Sequence, residues 1–334
     1  MRLGWRLSRF NKEEPMPDHY IAWWNVENLF DHATAARPQY LRDKLRTELH
    51  DWTAGVRDAK IAQLASIIMQ MNNSSGPDIL GVCEIENANV MGLLTQAIAQ
   101  PGRNYSVVHH DMSDGRGIDI AFIYDANLYT PDANNPWFSY EVLKRSATRD
   151  IFQVNFDTAR GNRLILIGNH WPSRLGASEY RVIAGETLSY WIERITDIVG
   201  GEPTVLVMGD FNDEPFDVSL TDFALSARTT RRVLNGRNPY LYNLMWPLMG
   251  QGISSYVYGN QPNMLDQLLV TKGMLRQSAS IRVLRDTVEV IRLPGMAAGQ
   301  YNTPRRFGRP SKASTYDPTG YSDHFPVVVT LREA

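Results

Sequence analysis

The stretch that decides the fold is Val205-Leu206-Val207-Met208-Gly209-Asp210-Phe211-Asn212-Asp213. An apolar run that short, hydrophobic at successive positions, reads as a strand covered on both faces. It runs directly into acids and an amide. Ligand sites in α/β sheets lie off the carboxyl ends of strands, so the polar cluster reads as part of a site. Three further segments repeat the arrangement. Ile21-Ala22-Trp23-Trp24 runs into Asn25-Val26-Glu27-Asn28, Ile79 to Cys83 into Glu84-Ile85-Glu86-Asn87, and Leu164 to Gly168 into Asn169-His170-Trp171-Pro172.

Two more polar sites stand at the beginnings of strands. Asp266 is near the start of Leu265–Val270, and Asp323-His324 precedes Phe325–Leu331. The start of an antiparallel strand lies on the same rim as the ends of its neighbours. A mixed sheet therefore brings all six segments together.

The surrounding pattern is strand, loop, helix, repeated. Further strands are expected at Tyr105–His109, Ile118–Tyr124 and Ile151–Phe156. Three helices stand out. Val56–Met71 carries an apolar stripe, a second helix is capped by Asn89, and a third is capped by Ser178 and ended by Gly200-Gly201. No Pro/Gly/Ser-rich linker divides the chain. The reading is a tail over residues 1–17 and one domain over 18–334, with a surface insertion at about 227–263.

Composition agrees with a globular enzyme-sized domain. The chain has 334 residues, 43% hydrophobic and 10% aromatic, enough for a substantial core. The formal net charge of −2 does not advertise a polyanion partner by itself. Basic residues do cluster, at Arg228, Arg231, Arg232 and Arg237, and at Arg305, Arg306, Arg309 and Lys312. Either group can touch phosphates or simply line solvated loops. A single cysteine, Cys83, excludes an intrachain disulfide, and its apolar context reads as core. No apolar run reaches the ~18 residues of a membrane span, and Met1–His19 lacks the apolar stretch of a secretory signal. The expectation is a cytoplasmic protein, or one already trimmed. Nothing in the sequence asks for a protein partner.

The rim would hold Glu27, Glu84, Asp210, Asp266 and Asp323 with two histidines and two asparagines. Crowded carboxylates repel unless a cation joins them, and hard oxygen ligands suit Mg²⁺, Mn²⁺ or Ca²⁺. Such an ion polarises a phosphoryl oxygen, and histidine beside carboxylate exchanges protons near neutral pH. These are the parts for hydrolysing a phosphate ester. Each motif alone also has a bland reading. Asn-X-Glu-Asn makes an ordinary Asx turn, Gly-Asp-Phe-Asn starts a helix or turn, and a lone histidine is more often structural.

Taken in order, Trp24-Asn25-Val26-Glu27-Asn28, Cys83-Glu84-Ile85-Glu86-Asn87, Asn169-His170-Trp171-Pro172-Ser173, Gly209-Asp210-Phe211-Asn212-Asp213, Leu265-Asp266-Gln267 and Ser322-Asp323-His324-Phe325-Pro326 form a series. That series resembles the endonuclease/exonuclease/phosphatase superfamily, over about Tyr20 to Leu331. The resemblance implies a four-layer α/β sandwich of the DNase I-like kind, with two packed mixed sheets and helices outside. It implies metal-dependent attack of water on a phosphate. By position, Glu84 resembles the principal metal ligand, with Asn25, Glu27 and Asp323 around it. Asp210 and Asn212 resemble the pair that orients water and phosphate. His324 resembles the imidazole on the scissile phosphate, with Asp266 as its orienting carboxylate. His170 resembles the second histidine, for which Asp119 is the candidate partner. Arg116, Arg174 and Asn169 are candidates for substrate contact.

One departure stands out. DNase I carries an arginine two residues past the equivalent of Glu84, where this chain has Glu86, an acid expected to repel a backbone phosphate. The runs Asn25–Asp31 and Asp114–Asp119 are closer to bacterial nuclease-type members. Nucleic acid, DNA favoured, is the expected substrate, with Arg231, Arg232, Arg237, Tyr240, Tyr242 and Trp246 as a charged and stacking surface. A phosphatase or phospholipase is the alternative, for which Leu244–Met249 could form an apolar patch. A catalytically dead scaffold is the alternative of another class.

Overall fold

Alternation along the strands builds two sheets that share an apolar interior. The computed structural model describes residues 16–112, 114–143, 149–309 and 315–334. Most of the expected tail, and Lys312, lie outside the described residues. In chain order the strands are β1 (Asp18–Leu29), β2 (Ile79–Ile85), β3 (Tyr105–His109), β4 (Asp119–Asp125), β5 (Tyr129–Pro131), β6 (Trp137–Tyr140), β7 (Ile151–Thr158), β8 (Arg163–His170) and β9 (Val205–Asp210). They continue as β10 (Ser226–Ala227), β11 (Leu241–Asn243), β12 (Tyr256–Tyr258), β13 (Gln261–Asn263), β14 (Asp266–Val270), β15 (Ile281–Val290), β16 (Ala297–Ala298), β17 (Thr303–Pro304) and β18 (Val327–Glu333).

The first sheet runs β15-β18-β1-β2-β4-β3 and the second β10-β11-β14-β9-β8-β7-β5, with β6 on β7. Both are mixed. β1 and β2 are parallel, as are β8 and β9, while β18 lies antiparallel to β1 and β14 antiparallel to β9. The register sets Asp266 opposite Asp210 and His170 beside Asp210. Strand ends and strand starts therefore share one rim.

Leu164, Leu166, Leu206 and Met208 point into the core between the sheets. Their neighbours Ile165, Ile167, Val205 and Val207 pack on the helix Ser178–Val199 through Leu188 and Ile192. The helices Ala54–Ile68 and Ala88–Ala97 cover the first sheet. This is the four-layer arrangement of a DNase I-like fold. Close approach of the sheets requires glycine. A Cβ at Gly168 would lie 2.7 Å from Ile120 Cγ2 and 3.2 Å from Phe122 Cζ.

Several local expectations are corrected. Asn87, not Asn89, caps the second helix, accepting from Val90 N at 3.0 Å, while Asn89 donates to Asp31 at 2.7 Å. Ser178 opens its helix without a side-chain cap. Part of the segment read as a surface insertion is woven into the second sheet, because β11 pairs with β14 and is wholly buried, whereas β12 and β13 form a separate hairpin at the surface. Leu244, Met245 and Leu248 are likewise buried, so that run offers no lipid-binding patch. Arg237 and Tyr240 line a groove with Pro203 and Thr271, at the beginning of β9. That is a strand length, roughly 17 Å, from Asp210. The aromatics of the segment already have neighbours. Arg232 sits 4.5 Å over Tyr240, Arg228 sits 5.1 Å over Trp246, and Tyr242 is buried.

Gly168→Val tests the inter-sheet spacing. Overpacking should cost about 1–3 kcal/mol by urea denaturation. A loss below about 0.5 kcal/mol contradicts this account of the interface.

Candidate active site

Strand alternation aims three of the site residues into the space between the sheets. His170 follows Leu164 and Leu166 on one face of β8, Asp210 follows Leu206 and Met208 on β9, and Asp266 precedes Leu268 on β14. Glu84 is different. Regular alternation would turn it away from the interior, because Gly81 and Cys83 occupy the inward positions of β2. A register irregularity between Cys83 and Ile85, with Glu84 itself at φ 64°, redirects it. β1 breaks register in the same place, with Glu27 at φ 53° and Asn28 at φ 55°. Asn212 is also left-handed, at φ 52°. Left-handed backbone at non-glycine residues costs of order 1 kcal/mol each and gathers at functional sites.

The result is a tight centre. The Asn25 amide donates to Asp210 Oδ2 at 3.0 Å and to Glu84 Oε1 at 3.4 Å. His170 Nε2 lies 3.6 Å from Glu84 and 3.8 Å from Asp210. His324 Nε2 lies 3.8 Å from Asp210, and its Nδ1 is 2.6 Å from Asp266 Oδ2. Asp266 is also fixed by Trp23 Nε1 at 3.3 Å. Asn212 donates to the Trp171 carbonyl at 3.0 Å, and its own N–H reaches Asp210 at 2.9 Å. Asp323 sits at the edge, 3.4 Å from Arg306 and about a quarter exposed at 24%.

Electrostatics separate the acids. Burial raises Asp210, assisted by Asp266, against the lowering pull of His324. Burial and the nearby Glu27 push Asp323 up. Burial also penalises the Glu84 carboxylate, but Arg116, Arg149 and His324 hold it below its ordinary value. Burial works against a charged His324, yet Asp266 and Asp210 raise it well above the usual imidazole range. Burial, then Arg149 and Arg116, keep His170 well below it. One imidazole is thus set up as a cation and the other as a neutral base.

Glu84 and Asp210 meet at the Asn25 amide and Asp323 feels the charge of Glu84, an acidic set whose hard oxygens suit a divalent cation. Asn25 is a poorer ligand than expected, because its oxygen already accepts from Glu27 N at 3.0 Å. It holds the carboxylates instead.

Other expected residues fall elsewhere. Glu27 is fully buried and spent on cations. It meets Arg306 Nη2 at 2.6 Å and Lys60 Nζ at 3.9 Å. Asp119 does not pair with His170. Its oxygens take His109 Nε2 at 3.0 Å and Met112 N at 2.9 Å, and burial pushes it up to about 6. His109, Asp111 and Asp119 gather their ligand atoms within 4.8 Å, a trio sharing no residue with the Glu84 centre. Asn169 is buried on the helix side of β8 and accepts from Trp171 Nε1 at 3.1 Å, because adjacent residues of a strand face opposite ways. Arg116 is at the centre's edge, donating to Asn28 at 2.7 Å. Arg174 is at the rim, bound to the Asn212 carbonyl at 2.8 Å and Asn263 at 2.6 Å. Glu86 repels nothing, since Arg37 neutralises it in a buried pair with a second contact at 2.8 Å.

Two residues of the site were not singled out from sequence. Tyr256 packs its ring on His324, centroids 4.6 Å apart. Arg149 lends positive charge to Glu84 and His170. Tyr256 had a readable signal, the Gly259-Asn260 turn that follows it. Arg149 had none.

Residues 20–333 match the model of the Endonuclease/Exonuclease/phosphatase family. The chain belongs to that family, whose members are hydrolases that generally use divalent metals. No curated protein matches the chain in sequence. Solved structures share the fold at low identity. An endonuclease/exonuclease/phosphatase family protein from Bacteroides thetaiotaomicron is 16% identical, with 95% of this chain and 96% of that chain covered and a TM-score of 0.56. A mannosyl-6-phosphatase of the same species is 17% identical, covering 94% and 99%, with a TM-score of 0.55. D. rerio TDP2 complexed with single strand DNA product is 14% identical, covering 94% and 98%, with a TM-score of 0.56.

Arg37→Ala tests whether Glu86 is structural. It strands a buried carboxylate and should destabilise by about 3–5 kcal/mol in urea unfolding. A loss under about 1 kcal/mol would return Glu86 to the list of candidate substrate contacts.

Proposed function

We propose that this protein is a divalent-metal-dependent phosphodiesterase that cleaves nucleic acid, DNA favoured. The observation that carries the reading is the convergence of Glu84, Asp210, His170 and His324, each within 4 Å of another through strand ends from both sheets. Glu84 and Asp323, with Asp210 beside them, would hold Mg²⁺ or Mn²⁺, and their oxygens also admit Ca²⁺. Such an ion, when bound, polarises a phosphoryl oxygen.

The chain's own residues divide the rest. Asp210, destabilised as an anion by burial, accepts the proton of the attacking water. Asn25 keeps its carboxylate aimed. His324, held charged by Asp266, donates toward the phosphate oxygen where negative charge develops. Asn212, anchored on the Trp171 carbonyl, has a second N–H for the same purpose. His170 stands as the neutral imidazole between Glu84 and Asp210.

Substrate preference rests on charge at the rim. Arg174 and Arg306 are 39% and 47% exposed beside the centre, where a polyanion would pass. TDP2, similar in fold, is seen with a single strand DNA product. The second reading, a sugar-phosphate phosphatase, is favoured by the likeness to the mannosyl-6-phosphatase. A panel of plasmid, short DNA and RNA strands, mannose 6-phosphate and phospholipid, with Mg²⁺ or Mn²⁺ and with chelator, separates these readings. Metal-dependent loss of nucleic acid supports the nuclease. Turnover of the sugar phosphate alone transfers the assignment to a phosphatase, and no turnover of anything leaves a binding scaffold.

Asp210→Ala and His324→Ala should each lower kcat by at least ~10²-fold. Near-wild-type rates in either variant discard its assignment. Asp266→Asn removes a carboxylate that raises His324, so the His324 pKa falls. If charged His324 is the active form, its contribution is present below that pKa and lost as pH rises through it. The alkaline limb of kcat/KM should then move to lower pH in the variant. An unmoved limb excludes His324 as the titrating group.

A further inference from the structure

The hairpin β12–β13 stands directly over the centre. Tyr256 pairs with His324 through an isolated backbone bridge as well as through its ring. The ring contact, centroids 4.6 Å apart, puts Tyr256 beside the centre. Gly259 at φ 55° and Asn260 at φ 65° close the hairpin with two consecutive left-handed residues, the tight turn that suits a twisted two-stranded ribbon. The tip is therefore held by its turn rather than by packing.

Residues two apart on a strand share a face, and residues opposite each other in register share it too. Tyr256, Tyr258, Gln261 and Asn263 accordingly lie on one face of the ribbon. Two contacts fix which way that face looks. Tyr256 rests on His324, and Asn263 accepts from Arg174 at 2.6 Å. Tyr258 extends the face outward, 70% exposed, roughly 7 Å along the strand from Tyr256. An aromatic ring this exposed, carried on a constrained turn whose ribbon packs on His324, is free to take a flat ligand group beside the centre.

We propose that Tyr258 is a specificity-determining residue that stacks an unpaired base of the nucleotide next to the scissile phosphate. Arg174, held by Asn263 and by the Asn212 carbonyl and flanked by Glu214 and Asp217, fixes the base of the ribbon beside the centre. Stacking needs a free base face, which a base inside a duplex does not offer. The substrate class is thus a single strand or an unpaired end. This inference rests on the nuclease reading above and deepens it. The phosphate lies at His324 and Asn212 and the base on Tyr258.

The test uses the full chain with Mg²⁺ and a short labelled single strand, its duplex, and the same strand lacking bases around the cleaved phosphate. Tyr258→Ala should raise KM for the single strand ~10-fold, with the effect on KM rather than kcat, and Tyr258→Phe should restore it. Removing the bases should raise the wild-type KM by a similar factor and change the Tyr258→Ala enzyme little. The wild type should prefer single strand to duplex, and Tyr258→Ala should lose that preference. If the wild type cleaves the single strand and Tyr258→Ala keeps its KM, the stacking role is wrong and the nuclease reading stands. If base removal weakens both enzymes equally, the base is read elsewhere and the proposal is again overturned. If the wild type cleaves no nucleic acid, both fall together.

Discussion

The structure depends on one unfavourable contact made tolerable, the meeting of Glu84 and Asp210 at a shared amide. Asn25 bridges them, one carboxylate from each sheet. Two buried acids this close favour loss of charge unless positive groups or donors answer them. Much of the neighbourhood answers that demand. His170 and His324 border the pair, Arg116 and Arg149 add positive field, and Asn28 N donates to Glu84 at 2.9 Å. The sheets must stack closely and in this register for the pair to form at all, which is why glycines stand where the layers touch. Left-handed residues in β1, β2 and the loop after β9 then bend the strand ends toward one another.

A second rank of acids looks equivalent in composition but is fully committed. Glu27 is held by Arg306 and Lys60, Glu86 by Arg37, and Asp31 by Arg57 at 2.6 Å. Lys60 is wholly buried, and burial lowers its pKa against the pull of Glu27. These pairs do not primarily add stability, since burying both charges offsets most of their attraction. Their evident effect is to fix the loops that carry the first rank. Glu27 follows Asn25 by two residues, and its own N–H orients the Asn25 amide.

The architecture was readable because its signals are local. Apolar runs ending in polar residues marked β1, β2, β8 and β9, and the antiparallel placement of Asp266 and His324 followed from their position before a strand rather than after it. The centre was readable for the same reason. What escaped depends on contacts remote in sequence. Nothing in Asn25–Asn28 reveals that Arg306, 279 residues beyond Glu27, will claim its carboxylate. Nothing in Gly117–Ile120 shows that Asp119 faces His109. The bulge at Glu84 defeats simple alternation, and by counting twos that residue should point away. Asn169 is the instructive opposite, since alternation forbids it and His170 from facing one cleft together. The basic segment around Arg232 lies a strand length from Asp210, a distance that charge and aromatic content alone do not reveal.

The proposed function rests on a divalent-cation site centred on Glu84 and Asp210. Isothermal titration calorimetry with Mn²⁺, on the wild type and on Glu84→Gln, addresses it without reference to any substrate. The account requires Mn²⁺ binding in the wild type, competed by Mg²⁺, and its loss in a Glu84→Gln protein that is still folded by circular dichroism. Equal binding by the two proteins, or none by the wild type, contradicts it.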